Sequence, residues 1–300
     1  MISNSDLEVF FEATRERVDR ALATWADRAR QDPGGQVGEA IAYSLLGPGK
    51  RLRPALVLAA FEELGGRGDA VDLAAAVEIV HAYSLVHDDL PCMDDDDLRR
   101  GRPTTHRQFG VPVALEAGFR MVTLAARALA HGGAGLGLST ETLGTIGSTL
   151  FRAAGAAGMV GGQVLDLEAE AREVELDELR DIHRRKTGAL ITASAEIGAI
   201  AAGVSGEALE AVCSYGEEIG VAFQIADDVL DATASSATLG KTAGKDAAQR
   251  KATFAALLGP DSAMIEARLR VALAIDQLGA GGINSLLLND LAYFIINRRS

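Results

Sequence analysis

A dense acidic stretch lies between His87 and Gly101, where the sequence reads HDDLPCMDDDDLRRG. Six aspartates fall between Asp88 and Asp97, and two arginines follow directly. Carboxylates a few Å apart disfavour one another's ionised forms. A stretch of this kind therefore either lies in open water or is neutralised by a bound cation.

The position of this stretch favours cation binding. Apolar periodicity predicts a helix over 70–90, and because Leu90 precedes Pro91, Asp88 and Asp89 fall in the last helical turn. The negative end of the helix dipole lies there, which disfavours uncompensated anions. The alternative, a solvated acidic face, predicts no other specialised residues nearby.

A second acidic segment reads FQIADDVLDAT, from Phe223 to Thr233, within an apolar helical pattern. Polar side chains three, four and seven residues apart share one face of a helix about two turns long. Uncompensated buried charge is costly, so this face predicts a metal or a cationic ligand. The side chains concerned are Gln224, Asp227, Asp228 and Asp231.

Basic residues occur before, between and after these segments. Mg²⁺ prefers oxygen ligands and typically binds one or two carboxylates together with substrate phosphates. Arginine binds phosphate through paired hydrogen bonds, and lysine binds it as a point charge. The combination predicts an enzyme that acts on diphosphates. The candidate phosphate-binding residues are Lys50, Arg53, Arg99, Arg100, Lys186, Lys241, Lys245 and Lys251.

Other ligand-binding motifs fail on spacing. Counted from Asp94, the fifth and twelfth positions of an EF-hand calcium loop are Leu98 and Thr105, which do not fit that motif. Neither GPGKR nor LGKTAG completes a Walker A loop, because the required first glycine is replaced by Ser44 or Ser235.

The composition predicts a single all-α domain over residues 1–300. Hydrophobic residues make up 48% of the chain, prolines number 7, and no linker-like stretch interrupts it. The formal charge of −13 argues against nucleic acid as a partner. With only Cys92 and Cys213 and no signal-peptide pattern at the N-terminus, a cytoplasmic location is expected.

Three- and four-residue apolar spacing predicts helices along most of the chain. Residues 187–204 are weakly apolar and contain Glu196, so they predict a buried core helix rather than a membrane span. Long polar connections at 90–110 and 235–251 are typical of functional loops. The predicted helices are 5–31, 36–46, 53–65, 70–90, 112–131, 140–171, 176–203, 206–233, 261–279 and 285–298.

Taken in order, the motifs resemble those of trans-isoprenyl diphosphate synthases, the polyprenyl synthetase family. The similar segments are GPGKRLRP, HAYSLVHDDLPCMDDDDLRRGRPTTH, GGQVLDL, KTGAL, FQIADDVLD and LGKTAGKD, between about Gly47 and Phe254. The resemblance implies an isoprenoid synthase fold, a helical bundle around a central cavity that both acidic motifs face. It also implies a homodimer.

The resemblance implies residue roles as well. About three Mg²⁺ ions would be bound by Asp88, Asp94 and Asp227, with Asp89, Asp228 and Asp231 in support. An allylic diphosphate, dimethylallyl or geranyl, would be bound with help from Arg99, Lys186 and Lys241. Isopentenyl diphosphate would be bound by Lys50, Arg53, His81 and Arg100, and Thr187 and Gln224 would stabilise the allylic cation. From spacing alone, His81 fits a packed core histidine as well as a ligand-binding one.

Product length depends on the turn before the first aspartate pair. A helix rises about 5.4 Å per turn, close to one isoprene unit, and Tyr83 and Ser84 lie five and four residues before Asp88. An aromatic residue here resembles the stop in bacterial farnesyl diphosphate synthases, so farnesyl diphosphate is the expected product. Geranylgeranyl diphosphate is the alternative.

Two further classes of protein are weaker alternatives. A terpene cyclase would share the first aspartate motif but would not need Lys50, Arg53 and Arg100. A non-catalytic subunit of a heteromeric prenyl synthase would be expected to lose acidic motifs, and both are intact here.

Two features leave their interpretation open. Phe119, in GFRMV, stands where the resemblance implies an acidic residue. It is a candidate for reshaping the pocket floor, and with it product length, or the dimer contact. Core filling is expected over a change in product. The run AAGAAGMVGG over 153–162 fits either close helix packing or space for a prenyl chain.

Overall fold

The computed structural model describes residues 4–32, 34–170, 172–233 and 252–298. Within these ranges the chain is almost entirely helical, which confirms the all-α prediction. In chain order the elements are α1 (Asn4–Gln31), α2 (Gly35–Leu45), α3 (Leu52–Glu63), α4 (Val71–Asp88), β1 (Leu98–Arg99), β2 (Arg102–Pro103), α5 (Thr105–Phe109), α6 (Val111–Gly135), α7 (Thr140–Ala154), α8 (Met159–Ala169), α9 (Leu176–His183), a π-helical turn (Arg184–Gly188), α10 (Ala189–Ala201), α11 (Gly206–Thr233), α12 (Phe254–Leu258), α13 (Pro260–Ala280) and α14 (Leu286–Asn297).

Two buried apolar clusters hold these helices together. The first is built mainly from α1, α2, α4 and α6, and the second mainly from α11, α13 and α14. α3 and α10 contribute to both: Leu58 and Leu190 are buried in the first, and Leu56 and Ile191 in the second. This shared packing favours one domain over residues 1–300, which stays a prediction.

The end of α4 places the first acidic motif. α4 ends at Asp88, as Pro91 predicted, and the following loop folds back on the helix end. The Asp94 amide donates to the Asp88 carbonyl at 2.9 Å, and the Asp96 amide donates to the Asp89 carbonyl at 3.3 Å. Backbone hydrogen bonds therefore hold the two halves of the motif side by side.

Predicted helices differ from the observed ones at glycines. The predicted helix 140–171 is interrupted at residues 155–158, where Gly158 leaves the helical conformation. The predicted helix 112–131 extends as far as Gly135, and Gly132 packs tightly against α4, where a Cβ would lie 3.0 Å from the Asp72 Cβ. α5, α12 and the short β1–β2 pair were not predicted.

Residues 189–201 form α10, whose side chains are mostly buried between α3, α7 and α11. This is the core helix predicted for the segment that begins at Thr187. In the described parts of the chain, we find no helix with the length and apolar character to cross a membrane.

Candidate active site

Asp88 lies at the centre of the first acidic motif. Burial raises the pKa of its carboxyl to about 6; the charges of Asp94 and Asp89 raise it too, while Lys186 and Arg99 oppose the shift. Burial away from water and repulsion by like charges both penalise the ionised form of a carboxyl group. A cation bound beside Asp88 and Asp94 would relieve both effects.

Asp89 faces a different partner. Its side chain is buried, and its Oδ1 accepts hydrogen bonds from both Nε and Nη2 of Arg99, the former at 3.0 Å. Arg99 Nη2 also reaches Asp96 Oδ2 at 3.3 Å. Asp89 thus holds Arg99 beside the motif.

The π-helical turn presents Lys186 and Thr187. Single π-turns often occur at functional sites, because the extra residue in the turn shifts the side chains out of helical register. α8 packs directly on this turn: a Cβ at Gly162 would lie 2.2 Å from the Lys186 backbone nitrogen. At this glycine, close helix packing explains the small-residue run, because only glycine permits that approach.

Lys186 is paired with a residue that sequence reasoning missed. Its Nζ donates to Asp166 Oδ2 at 2.5 Å, and Lys186 also lies close enough to Asp88 to affect its pKa. Asp166 belongs to the GGQVLDL motif. The signal that could have identified it was an acidic residue near the Lys-Thr pair in a motif shared with the family.

A hydrogen-bonded chain connects the π-turn to the second motif. Thr187 Oγ1 donates to Gln224 Oε1 at 2.9 Å, and Gln224 Nε2 donates to Asp228 Oδ1 at 2.9 Å. Asp228 is buried, and its Oδ2 accepts from the Phe254 amide at 2.8 Å. Asp228 therefore orients Gln224 and anchors α12.

The remaining two aspartates of the second motif are more accessible. The Asp227 side chain is 43% exposed, and its Oδ1 accepts a hydrogen bond from Arg298 Nη2. Asp231 is exposed near the end of α11. Arg298, in the C-terminal INRR segment, had no predicted role.

The residues predicted to bind isopentenyl diphosphate lie in one electropositive region. Burial, together with the charges of Arg100 and Arg298, lowers the pKa of Arg53 to about 10, while the charges of Glu78 and Asp227 oppose the shift. Burial and nearby arginines also lower the pKa of His81, while burial together with Arg298 and Arg100 lowers that of Lys50. This mutual repulsion is relieved by an anion.

Two observations favour an anion in this region. Arg53 Nε is buried without a hydrogen-bond partner in the described part of the protein. His81, Arg99 and Arg100 line a neighbouring cleft between the α2–α3 loop, α4 and the β1–β2 pair. A neutral His81 beside these guanidinium groups is suited to hydrogen bonding rather than to ion pairing.

Arg51 is a further residue that sequence reasoning missed. It adopts a left-handed conformation with φ of 54°, and its buried guanidinium contacts Glu78 Oε1 at 2.8 Å and Asp19 Oδ1 at 2.9 Å. It also donates to the Gly47 carbonyl at 2.9 Å. Arg51 therefore fixes the loop that carries Lys50.

Of the residues expected to set product length, Tyr83 is half-buried. Burial raises the pKa of its phenol, as does the charge of Asp88, and its ring meets His87 edge-on at 4.8 Å. Ser84 is buried, and its hydroxyl donates to the His81 carbonyl at 2.8 Å. Tyr83 is therefore the bulkier of the two side chains on this turn, and Ser84 is the more buried.

The expectation that Phe119 fills the core is wrong. Its side chain is 72% exposed on α6, and it continues an exposed apolar stripe formed with Val111 and Leu115. Sequence periodicity does not distinguish an apolar stripe that faces the core from one that is exposed. Lys241, Lys245 and Lys251 lie outside the described residues.

The acidic residues fit a divalent cation that also binds substrate. Across the described ranges, no group of three or more Asp, Glu, His or Cys side chains is arranged to hold a metal ion. The pair Asp88 and Asp94 offers hard oxygen donors with repulsion that a cation would relieve. This set suits Mg²⁺, which usually completes its coordination with substrate phosphates and water.

The helical bundle and its two acidic motifs define a class of protein, the isoprenoid synthases. A family model described as polyprenyl synthetase matches residues 35–277, and the chain belongs to that family. These findings confirm the predicted family and fold, and with them the predicted class of enzyme, a trans-prenyltransferase.

Curated relatives cover most of the chain. The farnesyl diphosphate synthase of Escherichia coli is 46% identical over 267 residues, 87% of this chain and 89% of the relative. That of Bacillus subtilis is 38% identical over 97% of this chain and 98% of its own. Geranylgeranyl pyrophosphate synthase 12 of Arabidopsis thaliana is 42% identical over 90% of this chain and 76% of its own.

Solved structures share the fold. An FPP/GFPP synthase from Zymomonas mobilis superposes with a TM-score of 0.83 at 34% identity, covering 97% of this chain and 99% of its own. A Helicobacter pylori geranyltransferase, complexed with magnesium and isoprenyl diphosphate, superposes with a TM-score of 0.81 at 29% identity. That match covers 99% of this chain and 98% of the other.

His183, beside the second motif, predicts a pH-dependent stability. Burial lowers its pKa to about 4, against 6.5 in an unfolded chain. As pH falls, the unfolded state takes up a proton on this histidine near pH 6.5, whereas the folded state does so only near pH 4. The contribution of neutral His183 to the free energy of unfolding is therefore fully present above pH 6.5 and is lost as pH falls toward 4. We expect this residue to remove about 2 kcal/mol from the free energy of unfolding between pH 7 and pH 5.

Urea unfolding of wild type and His183→Phe at both pH values would measure this contribution. Phenylalanine keeps a ring stacked on Phe254, which lies 5.6 Å from the imidazole, but it does not titrate. The variant should lose less stability than wild type on acidification. An identical loss in both proteins would contradict a neutral, buried His183.

Proposed function

We propose that this chain is a Mg²⁺-dependent farnesyl diphosphate synthase, which condenses isopentenyl diphosphate with dimethylallyl and then geranyl diphosphate. The observation that carries the proposal is the juxtaposition of the Asp88 carboxylate with Lys186, Arg99 and Asp94. Acidic and basic groups placed together suit a diphosphate with its cations. The farnesyl diphosphate synthases among the relatives support the choice of product.

The residues around the first motif would assist departure of the allylic diphosphate. Bound Mg²⁺, held by Asp88 and Asp94 on one side and by Asp227 on the other, would supply charge stabilisation to the leaving group. Arg99 is already oriented by Asp89 and Asp96, and Lys186 by Asp166. These fixed cations need little reorganisation as negative charge develops, which is the source of electrostatic catalysis.

Thr187 and Gln224 would stabilise the allylic carbon as it becomes positive. The Thr187 hydroxyl hydrogen is committed to Gln224, and the Gln224 amide hydrogens are directed toward Asp228. Oxygen lone pairs therefore remain for the cation, while N–H groups are held away from the Thr187 side. The alkene of isopentenyl diphosphate then attacks, and the released diphosphate accepts the departing proton.

Lys50, Arg53, Arg100 and neutral His81 would bind the isopentenyl diphosphate. Their positive charges repel one another, and Arg53 Nε is a buried donor without a partner among the described residues. A diphosphate supplies the missing negative charge. Lys241 would assist on the allylic side and Lys251 among the phosphate contacts, as the resemblance and the sequence suggest.

Geranylgeranyl diphosphate is the alternative product, because geranylgeranyl synthases are also among the relatives. Tyr83 favours the shorter product, since an aromatic ring stands close to Asp88 on the preceding helical turn. The terpene cyclase and the non-catalytic subunit receive less support, because the isopentenyl diphosphate residues and both acidic motifs are present.

We also propose a homodimer that buries the α6 stripe of Val111, Leu115 and Phe119. Large apolar side chains spaced four residues apart on one exposed face are typical of an interface. A cytoplasmic location fits the two free cysteines, Cys92 and Cys213.

Phe119→Glu should weaken that dimer, because a carboxylate would be buried where an aromatic side chain packs. We expect the dimer dissociation constant to rise by at least about tenfold. Analytical ultracentrifugation over a concentration series measures it. Val9→Glu, at a comparably exposed (65%) apolar position on α1, is the matched control; equal dissociation constants for both variants would place the interface elsewhere.

The proposed reaction is tested by transfer of labelled isopentenyl diphosphate onto geranyl diphosphate by the purified single polypeptide. Transfer should require Mg²⁺ and cease with a chelator. Transfer that appears only after a second polypeptide is added would support the subunit alternative. Consumption of geranyl diphosphate without incorporation of label would support the cyclase.

A further inference from the structure

Arg298, near the C-terminus, is hydrogen-bonded to Asp227, one of the proposed metal ligands. Its side chain is only 3% exposed, although it lies one residue beyond α14. Nη2 donates to Asp227 Oδ1 and, at 3.1 Å, to the Phe223 carbonyl, while Nη1 donates to the Ile295 carbonyl at 2.9 Å. The guanidinium therefore occupies a built site rather than a loose surface pair.

The surroundings hold the guanidinium against α11. Its central carbon lies 3.8 Å from the centre of the Phe223 ring, which is cation–π geometry. The Ile295 carbonyl is at the end of α14, where carbonyl groups lack partners within the helix and the dipole favours a cation. Arg298 thus caps α14 and neutralises Asp227 with the same side chain.

Three cationic side chains, Lys50, Arg53 and Arg298, lie close to the Asp227 carboxylate. The charges of Asp227 and Arg298 both shift the pKa values of Lys50 and Arg53, so the four side chains lie close together. A divalent cation at Asp227 would therefore meet several like charges, one of them hydrogen-bonded to the same carboxylate. A bound diphosphate would offset these positive charges, because it adds negative charge and offers the cations another partner.

We propose that Arg298 is the resident counterion of Asp227 and keeps divalent metal out of the second acidic motif until a diphosphate is bound. The inference rests on the proposed function, in which Asp227 is a metal ligand. It assigns Arg298 a positioning role and an order of binding. Metal at the second motif follows the diphosphate, while the first motif, which Arg298 does not contact, is not subject to this control.

Metal binding without turnover tests the proposal. The full chain is titrated with Mn²⁺, and free Mn²⁺ is measured by electron paramagnetic resonance, with and without inorganic diphosphate. Without diphosphate, Arg298→Gln should bind metal at the second motif with a dissociation constant roughly tenfold lower than wild type, because a charge-assisted competitor is gone. The gain should vanish in the double variant Arg298→Gln/Asp227→Asn.

Two single variants serve as controls. Arg298→Lys keeps the charge and should remain near wild type, and Arg268→Gln, which removes an exposed arginine on α13, should match wild type. Equal or weaker Mn²⁺ binding by Arg298→Gln would overturn the proposal; weaker binding would mean that Arg298 orients Asp227 for the metal instead. Wild type that fails to bind Mn²⁺ even with diphosphate would contradict the proposed function itself.

Hydrogen exchange in wild type provides a test that depends on no variant. Release of Arg298 removes its bonds to the carbonyls of Ile295 and Phe223, so Mn²⁺ with diphosphate should accelerate amide exchange near the C-terminal end of α14. Mn²⁺ alone should have no such effect. Equal acceleration by Mn²⁺ alone, or none under either condition, would overturn the proposed order.

Discussion

Replacement of Asp88 by asparagine should lower turnover by roughly 10²–10³-fold while the protein remains folded. Asparagine keeps the size of the side chain but removes the charge that would bind Mg²⁺. Burial and the neighbouring carboxylates of Asp94 and Asp89 already penalise that charge. The free energy of unfolding should therefore stay the same or rise slightly, so that loss of activity separates from loss of stability.

Asp97→Asn is the matched control within the same acidic stretch. The Asp97 side chain is 68% exposed and pairs with Arg107, away from Asp88. A surface ion pair of this kind contributes little, so turnover should stay within about twofold of wild type. Steady-state rates and urea unfolding measure both properties. If Asp88→Asn retained more than about a tenth of wild-type turnover, Asp88 would not be a principal metal ligand.

Removal of the Tyr83 ring should lengthen the product. In wild type the ring is half-buried on the turn before Asp88 and packs edge-on against His87. Tyr83→Ala removes this obstacle. The product chain could then extend along α4 by about the rise of one helical turn, which is close to the length of one isoprene unit. We expect the main product to change from C15 to C20 or longer, as measured by chromatography of the dephosphorylated alcohols.

Tyr83→Phe is the control for this prediction, since it keeps the ring and loses only the hydroxyl. Its main product should remain C15. If Tyr83→Ala also made mainly C15, the stop would lie elsewhere. The neighbouring Ser84 is already small and has its hydroxyl bound to the His81 carbonyl, so it offers little obstruction.

Local sequence rules predicted the position of both acidic motifs. Pro91 ends α4 just after Asp88, and the spacing of Gln224 and Asp228 places them on one face of α11, where they form a hydrogen bond. These features depend on interactions within a few residues, which is why periodicity and helix-ending signals suffice to predict them.

Contacts between distant segments could not be predicted in this way. Asp227 and Arg298 are 71 residues apart, and Lys186 and Asp166 belong to separate helices. The π-turn packs against Gly162 of α8, a contact that no local propensity records. Phe119 illustrates another limit. An apolar stripe on a helix has the same sequence periodicity whether it packs against the core of its own chain or against a second molecule.

The central claim is tested most directly by incubating the purified chain with Mg²⁺, isopentenyl diphosphate and dimethylallyl diphosphate, and then sizing the dephosphorylated products. Two successive condensations ending mainly at C15 are the predicted result. No condensation with dimethylallyl or geranyl diphosphate would contradict assignment as a prenyl diphosphate synthase. A main product of C20 or longer would contradict farnesyl diphosphate as the end product and Tyr83 as its stop.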